Sequence, residues 1–247
     1  MPSPVNQSAG QRVDGTWRRL GSLLWPARCL ACGEAGDDHD LCAPCRAALP
    51  WHRNACLRCA LPLPAMAGGA AATAACGRCL RHPPPLDRVQ AACLYAAPLD
   101  RWLPRFKFHQ DLAAGHLLAQ LLAQACADAP RPQAVVPVPL HRARLRRRGY
   151  DQALELARPL ARALALPLQP RLLQRVRATA PQSELSAAAR RRNLRDAFVV
   201  AANAALPAHV VLVDDVMTTG ATLHAAARAL RRAGVARVDA WVCARVP

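Results

Sequence analysis

Eight of the eleven cysteines fall into four Cys-x-x-Cys pairs, Cys29/Cys32, Cys42/Cys45, Cys56/Cys59 and Cys76/Cys79, all ahead of residue 80. Each pair can form a tight knuckle that aims two thiolates at one metal ion, and two knuckles complete a tetrahedral four-cysteine zinc site. Four knuckles therefore imply two Zn2+ ions. Four thiolates leave no open coordination position, so the metal is structural. Sequential pairing of the knuckles closes loops of nine and sixteen residues. Interleaved pairing closes longer loops at only slightly greater entropic cost. The sequential arrangement, a double zinc ribbon, is favoured, and a cross-braced one stays open. Stable disulfides conflict with a cytoplasmic setting, and four regular pairs are too many for one redox centre. Residues 26–82 hold few large apolar side chains, so zinc supplies most of the folding energy of this segment. Cys93, Cys126 and Cys243 stand alone in apolar contexts and read as core residues.

The remainder has a different texture. Pro83-Pro84-Pro85 marks a stiff boundary. The expected organisation is a leader with a short helix over 1–25, the double ribbon over 26–82 and a larger domain over 86–247. Strands are predicted at Val89–Ala96, Ala134–Val138, Ala197–Ala201, Val210–Val213 and Arg237–Ala244. Helices are predicted at Leu99–Phe108, Leu112–Asp128, Tyr150–Ala165 and Leu223–Ala233, the last closed by Gly234 as a C-cap. This alternation predicts an α/β fold with a mostly parallel sheet. The run Met66–Ala75 reads as a loop inside the second ribbon. No apolar stretch is long enough for a membrane-spanning helix, and the N-terminus lacks the order of a signal peptide. Trp17–Trp25 is amphipathic but short, and is expected to pack on the protein. A cytoplasmic protein without membrane insertion is the expectation.

The run Val210–Thr222, VVLVDDVMTTGAT, carries the most chemical information. Its aliphatic start reads as a strand buried on both faces. Asp214 and Asp215 fall at the strand's carboxyl end, where open α/β sheets bind ligands. Thr218, Thr219, Gly220, Ala221 and Thr222 then supply hydroxyls and free N–H groups at the start of a helix, a ready anion site. Carboxylates beside a phosphate cradle make sense when the ligand also presents sugar hydroxyls. A plain capped helix, with Thr218 or Thr219 as N-cap, is the alternative.

Charge points the same way. The net charge is +17. From Arg131 to Arg195 fifteen arginines face three acids, Asp151, Glu155 and Glu184. Arginine makes bidentate contacts with phosphate, so the block fits a polyphosphate, a nucleic acid, or both. Two segments inside it are candidate sites. Val136–Gln152 ends a strand at Pro-x-Pro and continues through basic residues to a glycine and the next helix. Arg175–Phe198 is long, polar and basic, and reads as a lid over a charged ligand or as a loop carrying a surface helix over Glu184–Arg195.

Residues 210–222 resemble the phosphoribosyl-pyrophosphate (PRPP) motif of the type I phosphoribosyltransferases. That resemblance implies that Asp214 and Asp215, the candidate catalytic residues, contact the ribose hydroxyls. It implies that residues 218–222 hold the 5′-phosphate, and that Mg2+ accompanies the pyrophosphate. The ordered set of four knuckles, Lys107-Phe108, VPVP, RRGYDQ, RATAPQ, RRRNLRDAF and VVLVDDVMTTGAT resembles the ComF/GntX-type competence family, from about Leu20 onward. Asp151 departs from the Asn more usual in that family, which weakens position 151 as a direct anion ligand. Lys107, Arg147, Arg148, Arg177, Gln182, Arg190 and Asn193 are the candidates for pyrophosphate or nucleic-acid contacts. The family implies a role in natural transformation or the use of external DNA, with single-stranded DNA and DNA-uptake proteins as partners. One alternative is a single-stranded-DNA-binding protein on a non-catalytic phosphoribosyltransferase fold, with Trp102 or Tyr150 available for base stacking. Another is a metabolic nucleobase phosphoribosyltransferase. No acceptor pocket or general base is legible, and the histidines read as structural.

Overall fold

A computed structural model describes residues 28–36, 40–64, 75–177, 196–202 and 204–247. The leader, Trp17–Trp25, most of the run 66–75 and the segment 184–195 lie outside these residues. The chain divides into two compact units, 1–48 and 49–247. The division falls between the two cysteine quartets.

Both quartets are built alike. In the first unit the Cys29 N–H donates to the Glu34 carbonyl and the Gly33 N–H to the Cys29 carbonyl, with Gly33 at φ 79°. In the second unit the Cys56 N–H donates to Leu61 and the Ala60 N–H to Cys56, with Ala60 at φ 51°. Each tight turn thus places one residue in the left-handed region. The second knuckle of each quartet opens a one-turn helix with its first cysteine as N-cap: Cys42 for α1 (Ala43–Ala47) and Cys76 for α2 (Gly77–Arg81).

The larger unit carries a four-stranded sheet in the order β1 (Val89–Leu94), β6 (Arg237–Arg245), β5 (His209–Met217), β2 (Ala134–Pro137), with every neighbouring pair parallel. Strands β5 and β6 are central, and their near-continuous burial is what a sheet covered on both faces requires. On one face lie α3 (Leu99–His109), α4 (Leu112–Ala125) and α6 (Gln152–Ala163). On the other lie α7 (Ala221–Arg232) and a small antiparallel ribbon of β3 (Leu173–Arg175) and β4 (Phe198–Val200). The connection leaving β2 therefore passes through α6 on one face, and that leaving β5 passes through α7 on the other. This divergence makes the carboxyl ends of β2 and β5 a topological switch point, the place where open α/β sheets form a ligand crevice.

The second quartet packs on this sheet domain. Cys56, Cys59, Ala60 and Cys79 share one core with Leu86, Leu223 and Val242. Residues 50–57 run along β1, with Trp51 bridging Cys93 and the His52 N–H donating to Ala92. No helix among the described residues is long and apolar enough to cross a membrane.

Three local features differ from expectation. Strand β5 continues to Met217, because Asp214 to Met217 keep pairing with Val242 to Arg245 of β6. Aspartate is disfavoured in strands, so the apolar pattern stops at Val213 while the ladder does not. A helix, α5 (Arg142–Arg148), forms from the basic residues between the Pro-x-Pro turn and Gly149, where no helix is predicted, capped by His141 and closed by Gly149 at φ 84°. Its Arg, Ala and Leu residues are good helix formers, but it buries no side chain and so shows no apolar period. Strand β3 is too short to announce itself by alternation.

Candidate functional site

Successive strand residues face opposite sides of a sheet, so Asp214 and Asp215 diverge at the switch point. Asp215 is 5% exposed, and its Oδ2 lies 2.8 Å from Lys107 Nζ at the end of α3. Tyr150 lies near this pair, its ring meeting Phe106 edge-on at 5.9 Å between centroids. Asp214 lies on the side of Val210 and Leu212. Its Oδ1 accepts the Asp215 N–H at 2.9 Å. Burial, then the charge of Asp215, push the Asp214 carboxyl up to about 8, against the opposing pull of Lys107. Desolvation thus favours the protonated form of Asp214 beside the Lys107–Asp215 pair.

The turn that follows β5 is tightly constrained. Gly220 has φ 74° and serves as N-cap of α7. A Cβ there would sit 2.4 Å from Met217 Cε and 3.1 Å from His224 Nε2. Neither Thr218 nor Thr219 is the N-cap; the Thr219 hydroxyl accepts the Ala221 N–H at 3.4 Å. Thr218 and Thr219 are exposed, and the turn delivers Thr218 to Thr222 to the start of α7. The first N–H groups of a helix have no intrahelical acceptor.

Across the crevice, Asp151 is the N-cap of α6. Its Oδ1 accepts the Leu154 N–H at 3.2 Å and its Oδ2 the Leu140 N–H at 3.1 Å. Burial raises its pKa, with those N–H groups opposing. A carboxylate is tolerated here because it ties the β2 turn to α6. Arg148 lies over the Phe108 ring at 5.4 Å, and Phe108 is 64% exposed. Arg147 and Arg177 are exposed. Gln182, Arg190 and Asn193 lie outside the described residues. Trp102 is buried, which removes it as a stacking platform. Phe108 is the exposed aromatic beside the crevice.

Two residues of this region carry no local sequence signal. Arg175 of β3 is buried, stacks on Phe198 at 5.4 Å, and is depressed to about 10 by burial and by Arg144. Arg245, the last residue of β6 and 6% exposed, donates to Cys59 O at 2.9 Å, Met217 O at 3.0 Å and Thr218 O at 2.6 Å. One guanidinium thus joins the second cysteine quartet to the threonine turn. Two of the histidines do structural work. His209 pairs with Asp239 at 2.9 Å at the far end of the sheet, and His141 caps α5.

Each cysteine quartet gathers in chain order, Cys29, Cys32, Cys42 and Cys45 in one and Cys56, Cys59, Cys76 and Cys79 in the other, with all sulfurs of a set within 4.8 Å of one another. The Cys32–Cys42 and Cys59–Cys76 sulfurs are 3.8 and 3.7 Å apart. A tetrahedral site with Zn–S bonds of about 2.3 Å has an S–S edge of about 3.8 Å. Without a cation the thiols crowd one another, and hydrogen bonding with Cys42 and Cys32 pushes Cys45 up to about 12. A divalent ion would hold all four as thiolates. The donor set fits two structural zinc ions.

This arrangement is that of a phosphoribosyltransferase-type domain preceded by a cysteine-rich ribbon. Residues 151–247 match the phosphoribosyl transferase domain family, and residues 20–81 match the double zinc ribbon domain family. The chain is 40% identical to competence protein F of Haemophilus influenzae over 69% of this chain and 78% of that protein. It is 37% identical to DNA utilization protein YhgH of Salmonella typhimurium over 90% of this chain and 99% of that protein. A solved structure of the allosteric regulatory enzyme of purine biosynthesis is similar at 24% identity and a TM-score of 0.36, over 52% of this chain and 25% of that one. The chain belongs to the family of competence protein F and YhgH, with an N-terminal double zinc ribbon and a phosphoribosyltransferase domain.

Proposed function

We propose that this protein binds PRPP, or a related ribose 5-phosphate, and acts in the cytoplasm in DNA uptake or the use of external DNA. The observation that carries the reading is the pair Asp214–Asp215, followed within one strand end by the constrained turn Thr218–Thr222, at the switch point of a parallel sheet. In this reading Asp214 and Asp215 accept hydrogen bonds from the ribose 2′- and 3′-hydroxyls. The N–H groups of residues 218–222 hold the 5′-phosphate. Mg2+ would neutralise the pyrophosphate, and Lys107, Arg147, Arg148, Arg177, Gln182, Arg190 and Asn193 remain the candidate contacts to it. The biological role rests on the names of the relatives, competence and DNA utilization.

Where turnover occurs, the bond broken is that between the anomeric carbon and pyrophosphate, and the bond formed joins that carbon to an acceptor nucleophile. Positive charge develops on the sugar ring between the two events. This chain's contribution is positioning and charge stabilisation, with Lys107 holding the Asp215 carboxyl in place at 2.8 Å. The test is calorimetric titration of zinc-loaded protein with Mg-PRPP, followed by a pyrophosphate-release screen over bases, nucleotides and single-stranded DNA. Binding should be abolished by Asp214→Asn combined with Asp215→Asn. Unchanged affinity in the double variant sinks the proposal, and release with a free nucleobase would favour the metabolic alternative.

A single-stranded-DNA-binding role is supported by one separate observation, the exposed Phe108 stacked with Arg148 beside the arginine-rich α5. Aromatic faces and a basic track are what sequence-tolerant strand binding uses. That role predicts steep weakening of DNA binding with added salt, and loss on Phe108→Ala. Weak, salt-insensitive binding counts against it.

A further inference from the structure

A cavity of about 600 Å3 lies against the threonine turn, within the 49–247 unit. Thr218, Thr219 and Ala221 form one side, and Arg78, Cys79 and His82 of the second knuckle form another. Asp214, Asp215, Lys107 and Tyr150 do not line it. The volume lies within the range of small-ligand sites, about 300–1,000 Å3.

Its walls are of two kinds. Leu61, Pro83, Pro84, Pro85 and Met217 give an apolar surface. Arg78, Arg228 and Arg245 supply positive charge, and no Asp or Glu side chain is among the lining residues. Arg245 is committed to the carbonyls of Cys59, Met217 and Thr218. Arg78 and Arg228 are exposed, and among the described residues neither pairs with a carboxylate. His224 sits where the positive charge converges. Its Nε2 is buried without a protein partner, and burial, then Arg228, Arg78 and Arg245, push its pKa down to about 4. The ring is neutral at pH 7 and can donate one N–H to an anion without taking up a proton.

We propose that this cavity binds a nucleoside monophosphate. Its phosphate lies between Arg78 and Arg228, within reach of the threonine turn and His224. Its nucleoside lies against the Leu61 and Pro83–Pro85 wall. Arg78 and Arg228, which among the described residues pair with no carboxylate although Pro247 with its terminal carboxylate also lines the cavity, favour a doubly charged phosphomonoester, and an apolar wall of this extent favours an organic body over inorganic phosphate. The site goes beyond the PRPP reading, since it uses none of the carboxylate cluster, yet it shares the turn at residues 218–219. Arg78 lies between Cys76 and Cys79, so the zinc-bound knuckle would hold one half of the phosphate clamp.

The experiment is titration of zinc-loaded full-length protein with AMP, and with adenosine as the phosphate-free control. It is run on the native protein, on Arg78→Gln combined with Arg228→Gln, and on Asp214→Asn combined with Asp215→Asn. Both arginines are exposed, and unchanged zinc content and melting temperature establish that their variant folds. AMP should bind the native protein and the aspartate variant alike, weaken by at least ~30-fold in the arginine variant, and outcompete adenosine. Three results overturn the proposal: no AMP binding at millimolar concentration, equal affinity for adenosine, or AMP binding lost in the aspartate variant and kept in the arginine variant. The last result places AMP in the carboxylate crevice and leaves the PRPP reading standing.

Discussion

Replacing Arg245 by methionine tests whether the second cysteine quartet and the threonine turn are one mechanical unit. Methionine keeps most of the apolar stem and removes every donor. Four hydrogen bonds from a charged group are lost, to Cys59 O, Met217 O, Thr218 O and Val246 O, and each such bond contributes about 1.5–3 kcal/mol. The losses are unequal. Thr218 is exposed, so water replaces the donor there. Met217 O keeps the Val246 N–H at 3.0 Å. Cys59 is buried, and its carbonyl is left without the arginine. Removing a guanidinium that is itself desolvated returns part of the difference; burial depresses the Arg245 pKa. The net destabilisation should be about 3–4 kcal/mol. At about 2–4 °C per kcal/mol for a unit of roughly 200 residues, the melting temperature should fall by about 6–16 °C. Differential scanning calorimetry on zinc-loaded protein measures it. Arg245→Lys, which can reach one carbonyl but not all four, should fall between. A loss smaller than ~2 °C in the methionine variant would falsify the strut argument, because buried charged hydrogen bonds are not removed at so small a loss.

Other outcomes follow from the same geometry. Asp214 ionises at about 8 in the folded chain against 3.8 for the free group. The folded state therefore holds a proton that the unfolded state loses, and this contribution to stability is full below about pH 4 and lost as pH rises towards 8. Asp214→Asn should raise the melting temperature at pH 8.5 and leave it unchanged at pH 4; a parallel shift at both pH values contradicts this. Gly220→Ala forces a φ of 74° on an L-residue and drives a methyl to 2.4 Å from Met217 Cε, so a loss of about 1–3 kcal/mol is expected in urea unfolding. Metal analysis should return two zinc ions per chain. A chelator should remove one faster than the other, because Cys32 is exposed and Cys42 and Cys45 are partly open, whereas Cys56, Cys59 and Cys79 are buried. Single-phase release of both ions would argue against this difference in protection.

The parallel sheet was legible because buried strands write unbroken aliphatic runs, as in Val210–Val213, and amphipathic helices write a 3.6-residue period, as in α6. The quartets were legible because a knuckle is a local object. What escaped is what the fold assembles from afar. Lys107 and Asp215 meet across more than a hundred residues of chain, and Arg245 ends a strand in an otherwise apolar run. Neither partner's neighbours encode the other. The arginine-rich stretch after β2 hid a helix because a solvated helix has no face to bury, and only its caps, His141 and Gly149, mark it. Asp151 looked like a defect in a motif and is a cap that accepts two N–H groups.

The pairing of Lys107 with Asp215 has one more consequence. Of the 33 basic Lys and Arg side chains, 32 end in guanidinium, and Lys107 alone ends in an amine. Guanidinium is inert towards acylating agents and aldehydes under conditions in which a primary amine reacts. Apart from a chain terminus, amine-directed chemistry therefore finds a single address on this molecule, beside the carboxylates of the crevice. Its reactivity should follow the state of that ion pair, so one covalent label would report on the crevice without any residue being changed.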